Sequence, residues 1–225
     1  MYFSRIRLRT DADTGALAHQ LCRNDSYREH QLLWQLFGDD PDAKRDFIFR
    51  REDHNGWPQF YLVSQRMPKD RDNVWRIDRR EYQPKLRQGQ RLAFILRANP
   101  VITKKNPAGK RKRHDLVMDL KKQCGWQQTS GNDRSSLYEL SQQAGEIWLS
   151  SRLERHGAKL DTLNTESYIQ HQTPKKGLSK PIRYSTLDLA GTLTVNDPET
   201  FTPILYRGMG PAKAFGCGLL LIRRL

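Results

Sequence analysis

The stretch SSLYELSQQAGEIWLSSRLERHG, Ser135 to Gly157, gives the clearest helix signal in the chain. Ser136 and Glu139 predict a capping box, in which the serine hydroxyl and the glutamate carboxylate bond free N–H groups of the first turn. Apolar residues follow with helical spacing at positions 137, 140, 144, 147 and 148. Gly157 stands where a glycine commonly ends a helix. The sequence therefore predicts one long helix with a defined beginning and end.

Strand and helix signals surround this helix in a regular order. They predict a strand over 91–103 that ends in a basic loop, strands over 167–171 and about 183–195, a helix over 196–208 and a last strand over 217–224. We expect the later helix to be short or kinked, because Pro203 cannot continue a long helix. The resulting order, β-α-β-β-α-β, is typical of ferredoxin-like and RNA-recognition-motif domains.

The first half of the chain resembles a degraded copy of that unit. In MYFSRIRLR, Ile6 and Leu8 alternate with arginines, which predicts a half-buried strand. A polar stretch without a predicted helix leads to SYREHQLLWQLF (26–37), which predicts a helix with a capping box from Ser26 to Glu29. Gly38 and a DDPD turn should end it. Three predicted strands follow, DFIFR (46–50), QFYLVS (59–64) and NVWRIDRREY (73–82), the first two joined through Asn55-Gly56.

These signals predict an α+β protein of two tandem ferredoxin-like domains, the first of them degraded. We expect the N-terminal domain to cover residues 1–86 and the C-terminal domain to cover residues 87–225. Each domain is long enough to bury a core of its own.

The charge of the chain indicates a polyanionic partner. The formal net charge is +14, and such an excess predicts attraction to nucleic acid or an anionic membrane surface. No apolar run is long enough to cross a membrane, and the N-terminus lacks the layout of a secretory signal, so we expect no membrane partner. Cys22, Cys124 and Cys217 are isolated, which favours a reducing cytoplasm. With no ligand spacing among cysteines and histidines, we predict no metal and no cofactor.

His30 is the candidate catalytic residue, and its neighbour Tyr27 shares its helix face. On spacing alone His30 lies beside the apolar stripe, which favours a structural histidine. The functional alternative is that it transfers a proton at a capped helix start, where a phosphate can bind. RNA cleavage by the substrate's own 2′-hydroxyl needs such a group together with donors or cations that stabilise the phosphorane.

Three further segments are candidate RNA-binding elements. The loop KKNPAGKRKR (104–113) and the predicted hairpin tip TPKKGLSKPIR (173–183) are both strongly basic, which favours phosphate contacts over a merely solvated charge run. The segment GMGPAKAFGCGLLLI (208–222) carries paired glycines around a lysine, and glycines allow a backbone to approach a ligand closely. The candidate RNA-binding residues are Lys110, Arg111, Lys112, Arg113, Lys175, Lys176, Lys180, Arg183, Gly208, Gly210, Lys213, Gly216 and Gly218.

Five motifs in the same order resemble the CasE-type CRISPR-associated endoribonucleases, the repeat-RNA processing subunits of type I-E Cascade. They are MYFSRIRL, YREHQLLWQLF, RDFIFR, LRANP and, as the most specific, GMGPAKAFGCGLL. The resemblance covers essentially the whole chain. It implies two tandem ferredoxin-like domains, and metal-independent cleavage of CRISPR precursor RNA at the base of the repeat hairpin. It also implies a 5′-hydroxyl on one product and a 2′,3′-cyclic phosphate on the other.

The resemblance also implies roles for particular residues. The family's catalytic histidine falls on His30 and its tyrosine on Tyr27, while its basic hairpin falls loosely on the stretch from Lys175 to Lys180. One of Lys175, Lys176 and Lys180 is then expected near the scissile phosphate. The implied partners are the repeat RNA hairpin, the mature guide RNA and the other Cascade subunits. The alternative function is a non-catalytic RNA-binding structural subunit of a ribonucleoprotein.

Overall fold

The computed structural model of the chain describes residues 1–10, 14–22, 26–38, 44–105, 109–129, 135–173, 179 and 181–225. Within these ranges the protein is a mixed α/β structure. It contains two four-stranded antiparallel sheets and one two-stranded hairpin.

The first sheet belongs to the N-terminal part of the chain. Its elements are β1 (Tyr2–Leu8), α1 (Gly15–Cys22), α2 (Ser26–Trp34), β2 (Phe47–His54), β3 (Trp57–Ser64) and β4 (Trp75–Glu81), and the strand order is β2-β3-β1-β4. A 3-10 turn, Gln35–Phe37, extends α2. Asn55 and Gly56, both with positive φ, form the predicted turn between β2 and β3. The strand predictions for this half are confirmed.

Two predictions for this half fail at its helices. The stretch expected to lack a helix contains α1, whose Ala18 and Leu21 are buried against the sheet; eight residues are too few to show a clear period. Ser26 is already helical, and the Glu29 carboxylate accepts a bond from Arg51, so the predicted capping box does not describe this helix start. Gly38 follows the 3-10 turn with φ of 96° as expected, while the DDPD turn lies outside the described residues.

The second sheet belongs to the C-terminal part. Its elements are β5 (Arg91–Ala98), β6 (Val101–Lys105), β7 (Arg111–Asp115), α3 (Leu116–Gln123), α4 (Leu137–Arg155), β8 (Ala158–Thr173), β9 (Ile182–Val195), α5 (Pro198–Arg207) and β10 (Leu220–Arg224). The sheet order is β10-β5-β9-β8, and β6 and β7 form the separate hairpin. Pro203 lies inside α5, which at ten residues is short, as expected.

The helix quoted at the outset is confirmed as α4. Ser136 and Glu139 form the capping box, and Gly157 follows the helix with φ of 73°. On this helix Leu140, Ala144 and Trp148 are buried, as predicted, but Leu137 and Ile147 are exposed. Helical spacing therefore located the helix but overestimated its buried face.

Three strand predictions in this half need correction. The predicted strand over 91–103 is two strands, because Asn99 and Pro100 interrupt it and the Asn99 side chain bonds the Ser185 carbonyl. The basic loop after it, expected to be irregular, contributes β7 and is followed by the unpredicted helix α3. The strand predicted over 167–171 begins at Ala158, since its first half pairs with β9 although its sequence alternates poorly.

The two halves meet through apolar and ionic contacts. Ile48 and Val63 of the first sheet pack with Leu219, which precedes β10. Arg97 of β5 donates two bonds to Asp188 of β9, at 2.8 and 2.9 Å, and Arg50 of β2 lies 3.5 Å from the same carboxylate. These contacts hold the two sheets together, and α2 packs against the 3-10 turn Lys213–Phe215 of the C-terminal glycine-rich segment.

Candidate active site

Helix α2 lies in the seam between the two sheets. Its Leu33 is fully buried in the core of the first sheet, and Glu29, 3% exposed, pairs with Arg51. Arg51 also donates to the carbonyl of Leu21 and to Asp53, so one guanidinium ties α1, α2 and β2 together. A buried carboxylate is tolerated only when it is paired in this way. The pair therefore fixes the rotation of α2, and with it the direction of His30.

His30 is half-buried against aromatic rings. Its imidazole lies 5.8 Å from the ring of Trp34, 5.6 Å from Phe47 and 6.4 Å from Phe49, as centroid distances. The Nε2 atom is buried and has no hydrogen-bond partner within the described residues. An unsatisfied buried ring nitrogen is unusual in a structural histidine, which normally bonds a partner.

Burial also sets the protonation state of His30. Loss of solvation, followed by the nearby positive charge of Arg45, lowers the pKa of His30 from 6.5 to about 4. The imidazole is therefore neutral near pH 7 and can accept a proton. The positive charge of Arg45 disfavours the imidazolium, and the phosphate of a bound anionic ligand would offset that charge as the ring accepts a proton.

Two cations accompany the histidine. Lys213 is half-buried in the 3-10 turn Lys213–Phe215, which packs against α2. Burial, followed by Arg45, lowers the pKa of the Lys213 amine. Neither Lys213 nor Arg45 forms an ion pair with a carboxylate of the described residues, since Asp46 beside Arg45 pairs with Arg66 instead. Arg45 and Lys213 thus place two positive charges near the neutral His30, with no carboxylate counter-ion among the described residues.

Sequence reasoning predicted His30 and Lys213 but missed Arg45. The available signal was small: Arg45 is the first residue of the RDFIFR motif and precedes a strongly apolar strand. Only the packing of the glycine-rich segment against α2 shows that Arg45 lies near both His30 and Lys213.

The glycines of this segment (208–218) serve close packing. All four predicted glycines have positive φ. A Cβ at Gly210 would lie 2.7 Å from the Trp148 ring, and one at Gly218 would lie 2.6 Å from the Met209 carbonyl oxygen. The N–H groups of Gly208 and Gly218 donate to the carbonyls of Ile204 and Arg97. Those two amides are therefore paired within the protein.

A contact missed by the sequence holds the start of α2. The Tyr184 hydroxyl of β9 donates to Ser26 Oγ at 3.1 Å. The Tyr184 ring stacks between His171 at 4.7 Å and Phe215 at 4.6 Å. This ladder of rings joins β8, β9 and the glycine-rich segment to the first residue of the helix that carries His30.

The other predicted residues fall in three places. Tyr27 is half-buried on α2, one turn before His30. Arg113 and Arg183 line one cleft of about 710 Å³ beside Phe215, while Lys110, Arg111 and Lys112 are exposed on the hairpin of β6 and β7. Lys175, Lys176 and Lys180 lie outside the described residues.

Metal and membrane features were searched over the described part of the chain. No group of three or more histidine, cysteine, aspartate or glutamate side chains there could hold a metal ion. None of the described helices is long and apolar enough to span a bilayer. Cys124 and Cys217 are free thiols.

Comparison with known proteins places the chain in a known class. Residues 1–224 match the family described as CRISPR associated protein. The chain therefore belongs to the CRISPR-associated proteins.

Within that class it is a CasE-type protein. It is 32% identical over 205 residues to the CRISPR system Cascade subunit CasE of Escherichia coli, covering 89% of this chain and 93% of that protein. It is 30% identical over 151 residues to the CRISPR-associated endoribonuclease Cse3 of Thermus thermophilus, covering 63% of this chain and 59% of that protein.

Solved structures agree with this assignment. The crystal structure of the CRISPR-associated protein Cas6e from Escherichia coli has a TM-score of 0.62 at 26% identity and covers all of both chains. A structure of CRISPR endoribonuclease Cse3 bound to a 19-nucleotide RNA has a TM-score of 0.70 at 23% identity, covering 99% of this chain and all of that one. At 23% identity, the similarity to the RNA-bound Cse3 structure supports the fold of this chain.

Proposed function

We propose that this protein is an endoribonuclease that cleaves CRISPR precursor RNA at the base of the repeat hairpin without a metal ion. The observation that carries the proposal is the cluster of His30, Arg45 and Lys213, in which a neutral imidazole lies beside two cations that pair with no carboxylate of the described residues. The relatives named Cascade subunit CasE and CRISPR-associated endoribonuclease support the same activity.

The chemistry follows from these groups. The His30 imidazole accepts the proton of the 2′-hydroxyl, whose oxygen forms a bond to the adjacent phosphorus. Arg45 and Lys213 stabilise the negative charge that develops on the phosphorane. The bond from phosphorus to the 5′-oxygen breaks, and that oxygen takes a proton from Tyr27 or from water. The products are a 2′,3′-cyclic phosphate and a 5′-hydroxyl.

The same proposal includes the remaining partners. The enzyme stays on the hairpin of the mature guide RNA and assembles with the other Cascade subunits in the cytoplasm. Lys175, Lys176 and Lys180 enter the groove of the RNA stem, and Arg113 and Arg183 contact the backbone beside it. Lys110, Arg111 and Lys112 contact phosphates farther along.

We further propose two tandem ferredoxin-like domains, residues 1–86 and 87–225. The two sheets support this proposal because they share one strand order. In the first sheet, β1 lies between β3 and β4. In the second sheet, whose strands in chain order are β5, β8, β9 and β10, the first strand β5 likewise lies between the third, β9, and the fourth, β10. The first unit carries no helix between β3 and β4, which fits a degraded copy.

A second candidate function is a non-catalytic RNA-binding subunit. One observation favours it: the His30 ring packs among Trp34, Phe47 and Phe49, as a structural histidine would. A purely structural role, however, would not require two cations beside that ring that lack a carboxylate partner among the described residues.

The experiment incubates the purified protein with the CRISPR repeat RNA of its own genome in EDTA and examines the ends of the products. We expect one cut at the base of the hairpin, a 5′-hydroxyl and a 2′,3′-cyclic phosphate. Tight binding without any cut, with or without added Mg²⁺, would favour the non-catalytic subunit. Cleavage only with Mg²⁺ would contradict the metal-independent mechanism.

A further inference from the structure

A cationic pocket lies behind the glycine-rich segment, where α4 and α5 both end. Its volume is about 530 Å³, and Arg152, Arg155, His156, Arg207 and Lys213 line it. No carboxylate belongs to its lining within the described residues. Like charges gathered in a concave site without acidic partners repel each other, and a bound anion would relieve that repulsion.

Helix-end effects explain only part of this arrangement. Basic residues near the C-terminus of a helix favourably oppose the helix dipole, and Arg152 donates to the Trp148 and Val101 carbonyls. Arg155 uses its Nε to bond the Ser151 carbonyl. Arg207, which is exposed, makes no hydrogen bond or ion pair among the described contacts. The outer N–H groups of Arg155 and all of those of Arg207 are therefore directed to no protein acceptor in the described chain.

Repulsion also acts at the inner wall of the pocket. Burial, followed by Arg155, lowers the pKa of Arg152 to about 10 and also lowers the pKa of His156. The fold thus holds these cations together at an electrostatic cost that the helix-end contacts of Arg152 and Arg155 offset only in part.

Lys213 connects the pocket with the candidate active site. It lines the pocket, and Arg45 acts on both Lys213 and His30. Positive charges therefore extend from Arg45, near His30, through Lys213 to Arg155 and Arg207.

We infer that this pocket binds phosphates of the single-stranded RNA that continues past the cleavage site, and so extends the interface beyond the hairpin. The inference rests on the proposed function, because it takes the strand to leave the site at His30. RNA backbone is favoured as ligand because the pocket offers positive charge and guanidinium donors, with no carboxylate in its described lining to repel a phosphate.

The test uses the double variant Arg155→Gln, Arg207→Gln, since both side chains are exposed and their loss should leave the fold intact. The matched control is Arg79→Gln, Lys159→Gln, which removes the same charge from exposed positions that line neither this pocket nor the cleft beside Phe215. Affinity is measured across a salt series for three RNAs with 2′-deoxy substitutions at the stem base, so that binding is separated from cleavage. The RNAs are the hairpin alone and the hairpin with a single-stranded extension on the 5′ or the 3′ side.

We expect one extension to tighten binding by wild-type protein and to steepen its salt dependence. The pocket variant should lose that gain, with a decrease in the slope of about 1.4 for two phosphate contacts to single-stranded RNA, and should bind the bare hairpin as wild type does. The inference is overturned if neither extension tightens wild-type binding, or if the pocket variant and the control behave alike. In either case, cleavage of the hairpin by wild type would leave the proposed function standing.

Discussion

At the scale of the residue, His30 shows how a core position and a reactive position can coincide. Spacing alone favours a structural histidine, and the aromatic contacts agree. A structural histidine would not explain why Nε2 has no hydrogen-bond partner in the described chain or why Arg45 lies near the ring. The sequence could predict the residue and its helix, but not Arg45, because the contact between them depends on how the end of the chain packs.

The depressed pKa of His30 predicts a pH effect on stability. Between about pH 4 and pH 6.5 the unfolded chain binds a proton at this histidine that the folded chain does not. Stability should therefore rise with pH through this window and be fully present above 6.5, as far as His30 is concerned. Urea unfolding across the window measures this effect.

The matched variants are His30→Phe, which keeps a ring among the aromatics, and His54→Gln, at an exposed histidine. His30→Phe should lose less stability than wild type as the pH falls from 6.5 to 4, whereas His54→Gln should follow wild type. Equal pH dependence in wild type and His30→Phe would refute the buried, neutral histidine.

At the scale of the element, α2 is held by contacts from both sheets. The sequence predicted this helix and its end at Gly38, because both depend on local signals. Its anchoring by Arg51 and Tyr184 could not be predicted, since those residues lie on strands whose neighbours only the fold determines. The same limit explains why α1 and α3, short helices stabilised by packing, were missed.

The bond between Tyr184 and Ser26 predicts a role in positioning α2. Tyr184→Phe keeps the ring stack but removes the hydroxyl that bonds Ser26 Oγ, so the unfolding free energy should fall by about 1 kcal/mol. Cleavage should slow several-fold at saturating RNA, because His30 is then held less firmly. Chemical denaturation and single-turnover kinetics measure the two effects.

Tyr138→Phe is the matched control, because Tyr138 is an exposed tyrosine whose hydroxyl bonds Asn164 at 3.2 Å, away from α2. It should change neither stability nor cleavage appreciably. If Tyr184→Phe cleaves at the wild-type rate, the bond between Tyr184 and Ser26 does not help to position His30.

At the scale of the whole molecule, the candidate site exists only where the two halves meet. The first half contributes His30 and Arg45, and the second contributes Lys213 and Tyr184. The order of strands and helices was largely predictable because periodicity and turn residues are local signals. The convergence of these four residues was not, since it rests on the ionic contacts of Asp188 with Arg50 and Arg97 and on close packing of glycines.

The central claim is that His30 takes part in catalysis. The most direct measurement is the single-turnover rate of repeat-RNA cleavage in EDTA by wild type, His30→Ala and the exposed control His54→Ala, with RNA binding and thermal unfolding recorded for each. We predict that His30→Ala remains folded, binds the hairpin as wild type does, and cleaves about 10²–10⁴-fold more slowly, while His54→Ala cleaves normally. A folded His30→Ala protein that cleaves at the wild-type rate would contradict the account.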